Sequence, residues 1–427
     1  MHTLETRLLA NHAALLAQAV RLAVGVTVTA ALALGMLSAQ GCNTHGKSTS
    51  AHISQAKMKM EGIKAATEYK MAEQAFLSGS MPKALKHVDH SLSLNDGVAK
   101  SYVLRGRILA ELGDVENAVV SLRKGQEIDP NNVDAHYFLG TIAERVERRE
   151  EALAHYLAAS ELDKTNPQYA IASAEMMMEV GEIDRAESYL KAHTANYDHN
   201  AGVRQTLGHI AMMKNDPESA VKLFSEARLL APDDQTVTED LIRAQIATHK
   251  YAEAEYNLSR LLTGAANKDR RDLQHMRAKC LVLLDRPVEA RQILIALTTD
   301  QAGSADIEAW SNLGQVAYLL RDYNRVKQCA ARVTAIAPHR HEGYVLRALA
   351  QRKSGDLNGA RKSAEMAISI SRTSDNLVLL GMIQQDMNQH KAARLSFAEA
   401  LRLDPGNTNA APLLTASENK MANVPIE

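Results

Sequence analysis

Small apolar residues return along this chain at a fixed interval, while the positions between them vary freely between polar and apolar. One series runs Ala84, Ala118, Ala152, Ala186, Ala220, Ala254, Ala290, Val326, Ala360 and Ala393. Its first five intervals are 34 residues, the next two 36, and the last two 34 and 33. A second series lies twelve residues upstream, at Ala72, Gly106, Gly140, Ala174, Gly208, Ile242, Ala278, Gly314, Ala348 and Gly381. Self-similarity at such a period marks a repeat architecture.

Two small residues per unit at a constant offset suit a pair of antiparallel helices that approach closely at one contact. A larger side chain there would overpack the crossing, at about 1 to 3 kcal/mol per site. The breaks between the two helices fall seven residues after the first small residue, at Gly79, Gly113, Gly181, Asn215, Gly355 and Asn388. Both residue types tolerate the left-handed conformation that ends a helix. The segment Glu147 to Arg149 is a weaker break. Pro130, Pro232, Pro338 and Pro405, each twelve positions after the second small residue, stop the second helix.

The chain resembles the tetratricopeptide repeat family at Trp310, Leu313 and Gly314, at Ala220, Phe224 and Pro232, and at Ala393, Phe397, Ala400 and Pro405. Repeats counted from Ala65 start at 65, 99, 133, 167, 201, 235, 271, 307, 341 and 374. The resemblance implies an all-α fold, an α-solenoid of about ten helical hairpins wound into a superhelix over residues 65–407. Ile242 and Val326 depart from the small-residue rule and predict less regular packing in repeats six and eight. Thr263 to Arg271 and Thr298 to Asp306, where the interval grows to 36, mark a candidate bend over 263–306. Residues 408–427 read as a C-terminal cap and tail, with a short helix around Pro412 to Ser417 and an irregular end beyond Asn419.

Residues 1–42 are a different kind of sequence. Arg7 and Arg21 precede an uncharged apolar run from Leu22 to Leu37. Its sixteen residues would span about 24 Å as a helix, short of the roughly 30 Å hydrocarbon core, which favours a secretory signal. Ala39, Gln40, Gly41 and Cys42 follow and resemble a bacterial lipobox, in which Cys42 is lipidated. Ala39 and Gln40 depart from that pattern, so ordinary cleavage or an uncleaved anchor remain open. Residues 43–64 read as a linker and the start of the first helix. Asn43 after the cysteine would suit outer-membrane sorting, and the repeats are expected outside the cytosol, in the cell envelope.

Composition narrows the function. The 427 residues are 46% hydrophobic with one Trp and four Phe, and the formal net charge is −1. Near-neutral charge with no basic stripe argues against a nucleic-acid partner. Cys280 and Cys329 lie in different repeats and are read as buried thiols in preference to a disulfide. His339 and His341 flank Arg340, but Val345 stands where a zinc-protease motif needs its second His, so a solvated turn is expected and no metal. No phosphate loop, nucleophile elbow or zinc-spaced cysteine pair occurs, and neither a cofactor nor catalysis is expected.

The resemblance places the lining of a concave groove at positions 2, 5, 9 and 12 of each repeat. The candidates are Lys100, Arg107, Tyr137, Thr141, Glu144, Gln168, Glu175, Met178, Gln205, His209, Arg243, Gln315, Tyr318 and Arg352, with Val103, Ile171, Met212, Glu239, Lys279, Val345, Leu349, Val378 and Met382 in the same register. Met is both an adaptable groove residue and a common core residue; two of every three here are assigned to core. The fifth positions lack the Lys and Asn set of repeats that clamp a terminal carboxylate. The lining predicts protein or peptide partners. Two function classes follow: an envelope-anchored, non-catalytic scaffold of the kind used in pilus assembly, secretion or exopolysaccharide export, or a regulatory or substrate-positioning subunit of an envelope enzyme acting on glycan or peptide.

Overall fold

The computed structural model describes residues 47–193, 197–299 and 301–422, and among these are twenty-one α-helices, one short 3-10 turn and no strand. Cys42 and the apolar run before it lie outside the described residues. The chain divides into two units, residues 1–63 and 64–427. In the first, the described residues are helical and 51–60 are all exposed, Met58 and Met60 among them.

The second unit, which begins at residue 64 within the first helix, is a solenoid of helix pairs. The first helix of each pair, A, alternates with the second, B. In chain order they are α1 (Lys47–Leu77) and α2 (Met81–Leu94); α3 (Ala99–Glu111) and α4 (Val115–Ile128); α5 (Val133–Arg145) and α6 (Arg149–Leu162); α7 (Pro167–Glu179) and α8 (Ile183–His193); α9 (Ala201–Met213) and α10 (Pro217–Leu230). Then come α11 (Gln235–Ala247) and α12 (Tyr251–Thr263); α13 (Arg271–Leu283) and α14 (Pro287–Thr299); α15 (Ile307–Leu319) and α16 (Tyr323–Ile336); α17 (Glu342–Lys353) and α18 (Leu357–Ile370); α19 (Ser374–Asp386) and α20 (His390–Leu403); and finally α21 (Ala410–Ala422). Each helix packs on its chain neighbours, and A helices also touch the next A helix, as α3 does α5 and α15 does α17.

The small-residue series is the spine of this packing. All ten members of the downstream series, Ala84 to Ala393 with Val326 among them, have no exposed surface. Three of the upstream glycines make room for an aromatic sixteen residues on, and Gly106 does so for Leu122. A Cβ on Gly208 would come within 2.5 Å of the Phe224 ring, one on Gly381 within 2.5 Å of Phe397, and one on Gly140 within 2.7 Å of Tyr156. The two departures do not loosen the stack. Ile242 is fully buried in one cluster with Leu258, and in repeat eight, where Ala330 holds the aromatic's place, the space beside Gly314 is filled by Leu346 from the next repeat.

Every hairpin turns through one left-handed residue at the same register. Gly79, Gly113, Gly181 and Gly355 take φ between 76 and 87°, and Asn215 and Asn388 take 59 and 62°. Glu147, His249, Asp285 and Arg321 do the same at 57 to 61°. Glu147 lies in the weaker break read from the sequence, whereas His249, Asp285 and Arg321 were not legible as turns, because their side chains pay roughly 1 kcal/mol or more for that conformation where Gly does not.

Helix starts are fixed by side chains the repeat pattern did not single out. Asn132, Asn166, Asn200, Asp234, Asp306 and Thr373 cap A helices, and Asp114, Asp216, Asp322 and Asp356 cap B helices, each accepting a backbone N–H. Each such cap contributes about 1 kcal/mol. The longer connections are pinned: Asn267 Nδ2 donates to Gln235 at 2.9 Å, and Trp310 Nε1 donates to the Gly303 carbonyl at 2.9 Å. At the C-terminal end the helix is longer than 412–417 and remains helical past Asn419 to Ala422. It covers the last pair, burying Ala410 and Ser417, whose Oγ accepts from Gln385 at 2.9 Å.

Candidate functional site

Because A helices pack on A helices, their outward side chains form one continuous face, and across repeats one to four that face is aromatic. Tyr69 and Phe76 on α1 are seven residues apart, as are Lys100 and Arg107 on α3, so each pair shares one side of its helix. Lys100 Nζ lies 4.6 Å from the Tyr69 ring centroid. The Arg107 guanidinium sits between two rings, 4.8 Å from Phe76 and 4.4 Å from Phe138. Tyr137 extends the cluster with ring centroids 5.3 Å from Phe138, 5.7 Å from Tyr156 and 5.2 Å from Tyr169. Such contacts contribute about 0.5 to 2 kcal/mol each, the larger values when desolvated.

Partial burial sets the electrostatics here. It lowers the pKa of Arg107, against the opposing charge of Asp134, although the guanidinium stays protonated. Burial first and Glu144 second push the Tyr137 hydroxyl up to about 12. The Glu144 carboxyl is raised by burial even though Tyr156 Oη donates to it at 2.5 Å, and the Tyr156 hydroxyl is raised as well. Thr141 donates to the Phe138 carbonyl at 2.9 Å. Gln168 and Glu175 are exposed, and Met178 is half-buried against the core that encloses Met176 and Met177.

Repeats five to seven line the same face with ion pairs. Asp240 accepts from Gln205 Nε2 at 2.7 Å, His209 Nε2 at 2.8 Å and Arg243 Nη1 at 3.0 Å. Arg243 also reaches Glu239, which Arg270 grips through both carboxylate oxygens. Asp306 accepts from Arg271 at 2.5 Å and His275 at 2.9 Å. Burial would raise the Asp306 carboxyl, but the Ala309 N–H, Arg271 and His275 together hold it below its ordinary value.

The structure thus gathers Lys100, Arg107, Tyr137, Thr141, Glu144, Gln168, Glu175 and Met178 on neighbouring helices. It ties Gln205, His209 and Arg243 into internal bonds. Gln315, Tyr318 and Arg352 stand apart on α15 and α17. Gln315 is exposed, Tyr318 meets Tyr323 edge-on at 6.0 Å, and Arg352 Nε donates to Asp386 at 2.6 Å. Of the other register positions, Val103, Glu239 and Val378 are buried and line no surface. Tyr69, Phe76, Phe138, Asp240 and Arg270 were missed. Tyr69 and Phe76 occupy positions 5 and 12 of repeat one, so extending the register one unit back finds them.

Cys280 and Cys329 are free and buried, their thiols pushed up by burial to about 11 and about 12, and therefore inert. Among the described residues no His, Cys, Asp and Glu cluster could hold a metal ion, and no helix is long and apolar enough to cross a membrane.

Models of the TPR repeat and the tetratricopeptide repeat match residues 106–145 and 374–407. The chain is similar to BBSome complex member BBS4 of Bos taurus, 24% identical over 177 residues, covering 42% of this chain and 34% of the relative. It is also similar to DnaJ homolog subfamily C member 3 of Homo sapiens, 22% identical over 204 residues, covering 43% and 40%. The chain thus spans between a third and two fifths of the length of these curated relatives. Among solved structures it is similar to pilF of Pseudomonas aeruginosa, with TM-score 0.41 and 20% identity over 48% of this chain and 91% of that one. Residues 106–145 and 374–407 thus match tetratricopeptide repeats, and the helix pairs between them repeat the same hairpin, a protein-interaction scaffold fold.

Proposed function

We propose that the chain is a non-catalytic scaffold of the bacterial cell envelope that presents the A-helix face of repeats one to four to partner proteins. The observation that carries this reading is the half-buried set of rings around Arg107, from Tyr69 and Phe76 through Phe138 and Tyr137 to Tyr169. Aromatic side chains and Arg are the residues that dominate binding energy at protein interfaces. Charge reversal at Arg107 and Glu175 tests it: partners recovered by crosslinking should be lost from the double variant, and unchanged recovery contradicts the reading.

Anchoring rests on the N-terminal sequence, the apolar run to Leu37 followed by Cys42. Lipidation of Cys42 would hold the repeats at the membrane more firmly than a single acyl chain, whose binding is marginal. Cys42→Ala should move the protein from the membrane to the soluble fraction and abolish acyl labelling; retention in the membrane contradicts it. The systems such a scaffold would serve are pilus assembly, secretion or exopolysaccharide export, and neighbouring genes distinguish them.

A further inference from the structure

Two cations on the A-helix face of repeats one to four are held by rings in place of carboxylates. Arg243, Arg270, Arg271 and Arg352 each pair with a carboxylate. Lys100 and Arg107 form no hydrogen bond and no ion pair with any described residue; their partners are rings. Asp134, Glu111 and Glu73 act on Arg107 only through space. A guanidinium partly removed from water with its five donors unmatched is a cost to the folded chain. The two flanking rings restrict where it can move, so a bidentate acceptor meets a guanidinium already held in place.

The two charges lie seven residues apart on one side of α3, an axial separation of about 10 Å at 1.5 Å per residue. Three residues of polyproline II chain, at about 3.1 Å each, cover nearly the same distance and make one full turn, so the first and fourth side chains share a side. Resting on the reading of this face as a docking surface, we propose that Lys100 and Arg107 form a two-point anchor for an acidic segment of a partner protein. One carboxylate meets the Arg107 fork, and a second, three residues away on the same side of a polyproline II stretch, meets the Lys100 ammonium. The exposed Gln168 amide, whose side chain bonds to no described residue, adds a donor and acceptor of the type that pairs with a peptide backbone.

The test uses the full chain and synthetic peptides with Glu at two positions three apart in a neutral Gly, Ser and Tyr context, alongside Gln and Lys versions. The Glu peptide should bind about tenfold more tightly than the Gln peptide. That preference should shrink with added salt and vanish in both Arg107→Gln and Lys100→Gln. Arg107→Met, which refills the space between the rings, should abolish the preference while leaving Tm unchanged or higher. Equal binding of all three peptides overturns the acidic anchor while the docking face stands; no peptide bound, together with crosslinks that survive charge reversal, removes both. Displacement by a soluble polyuronate but by no peptide assigns the anchor to polysaccharide and overturns the proposal. A lower Tm for Arg107→Met with an unchanged peptide preference makes the guanidinium a structural contact only, and also overturns it.

Discussion

Repeats one to four and repeats five to seven stack on the same ladder of buried small residues, yet they treat polar groups on the A-helix face in opposite ways. In the first region the charged groups sit against rings, and Lys100 and Arg107 have no carboxylate partner. In the second, Glu239 and Asp240 are buried, Asp306 is half-buried, and each is held by one or more cations. The backbone architecture therefore does not decide what the face can do. A region whose charges answer one another internally has little left to offer a partner, whereas stacked and unmatched cations do.

The comparison can be broken most forcefully through the rings. Tyr156→Ala empties the space beside Gly140, where the ring is buried, and should cost about 3 to 5 kcal/mol. Thermal unfolding of the full chain reads this; a loss below 1 kcal/mol would mean that the aromatic cluster is peripheral. In the second region Asp306→Asn keeps the helix cap but strands Arg271 and His275, and should cost about 2 kcal/mol at pH 7. Asp306 has its pKa held below the ordinary value, so its contribution is present at neutral pH and lost as pH falls through that lowered value. The difference between wild type and Asp306→Asn should therefore shrink below about pH 4, and a constant difference contradicts the ion-pair account.

A finer probe acts on the turns shared by both regions. Glu147→Gly and Arg321→Gly relieve left-handed strain and should each stabilise by up to about 1 kcal/mol, while Gly113→Ala should destabilise by a similar amount. Denaturant midpoints of the three variants check the sign, and uniform destabilisation would deny the strain. The smallest expected effect is at Glu144, whose carboxyl is raised by burial. An acid raised in the folded state is penalised once ionised, so stability falls as pH rises through its pKa. Glu144→Gln should raise Tm slightly at pH 7 and match wild type at pH 4. The opposite pH trends of Glu144→Gln and Asp306→Asn are the two regions' contrast in titration form.

How much of this the chain announces beforehand depends on the kind of interaction. The ladder, the aromatic opposite Gly140, Gly208 and Gly381 and the Gly or Asn turns are short-range constraints that recur with the period, so Ala118, Phe224 and Gly181 could be placed from spacing. Turns at His249, Asp285 and Arg321 escaped, and the one at Glu147 was read only as a weak break, because their conformation is imposed by the packed hairpin, against residue preference. The face was partly legible: register found Arg107 and Tyr137, and the Arg243 pairs with Asp240 and Glu239 follow i,i+3 and i,i+4 spacing, but neither shows that Gln205 and His209 would be consumed by Asp240. Pairing across repeats depends on side-chain reach between helices some 30 residues apart in sequence, and no local pattern encodes it.

The central claim is that the same face is open for partners in repeats one to four and closed by its own ion pairs in repeats five to seven. A photocrosslinking residue placed in turn at Thr141, Gln168 and Arg243 of the full chain in its native cells, with partners identified by mass spectrometry, tests it directly. Partner adducts from Thr141 and Gln168 with none from Arg243 are the predicted result. Adducts from Arg243 alone, or equal adducts from all three, would contradict it.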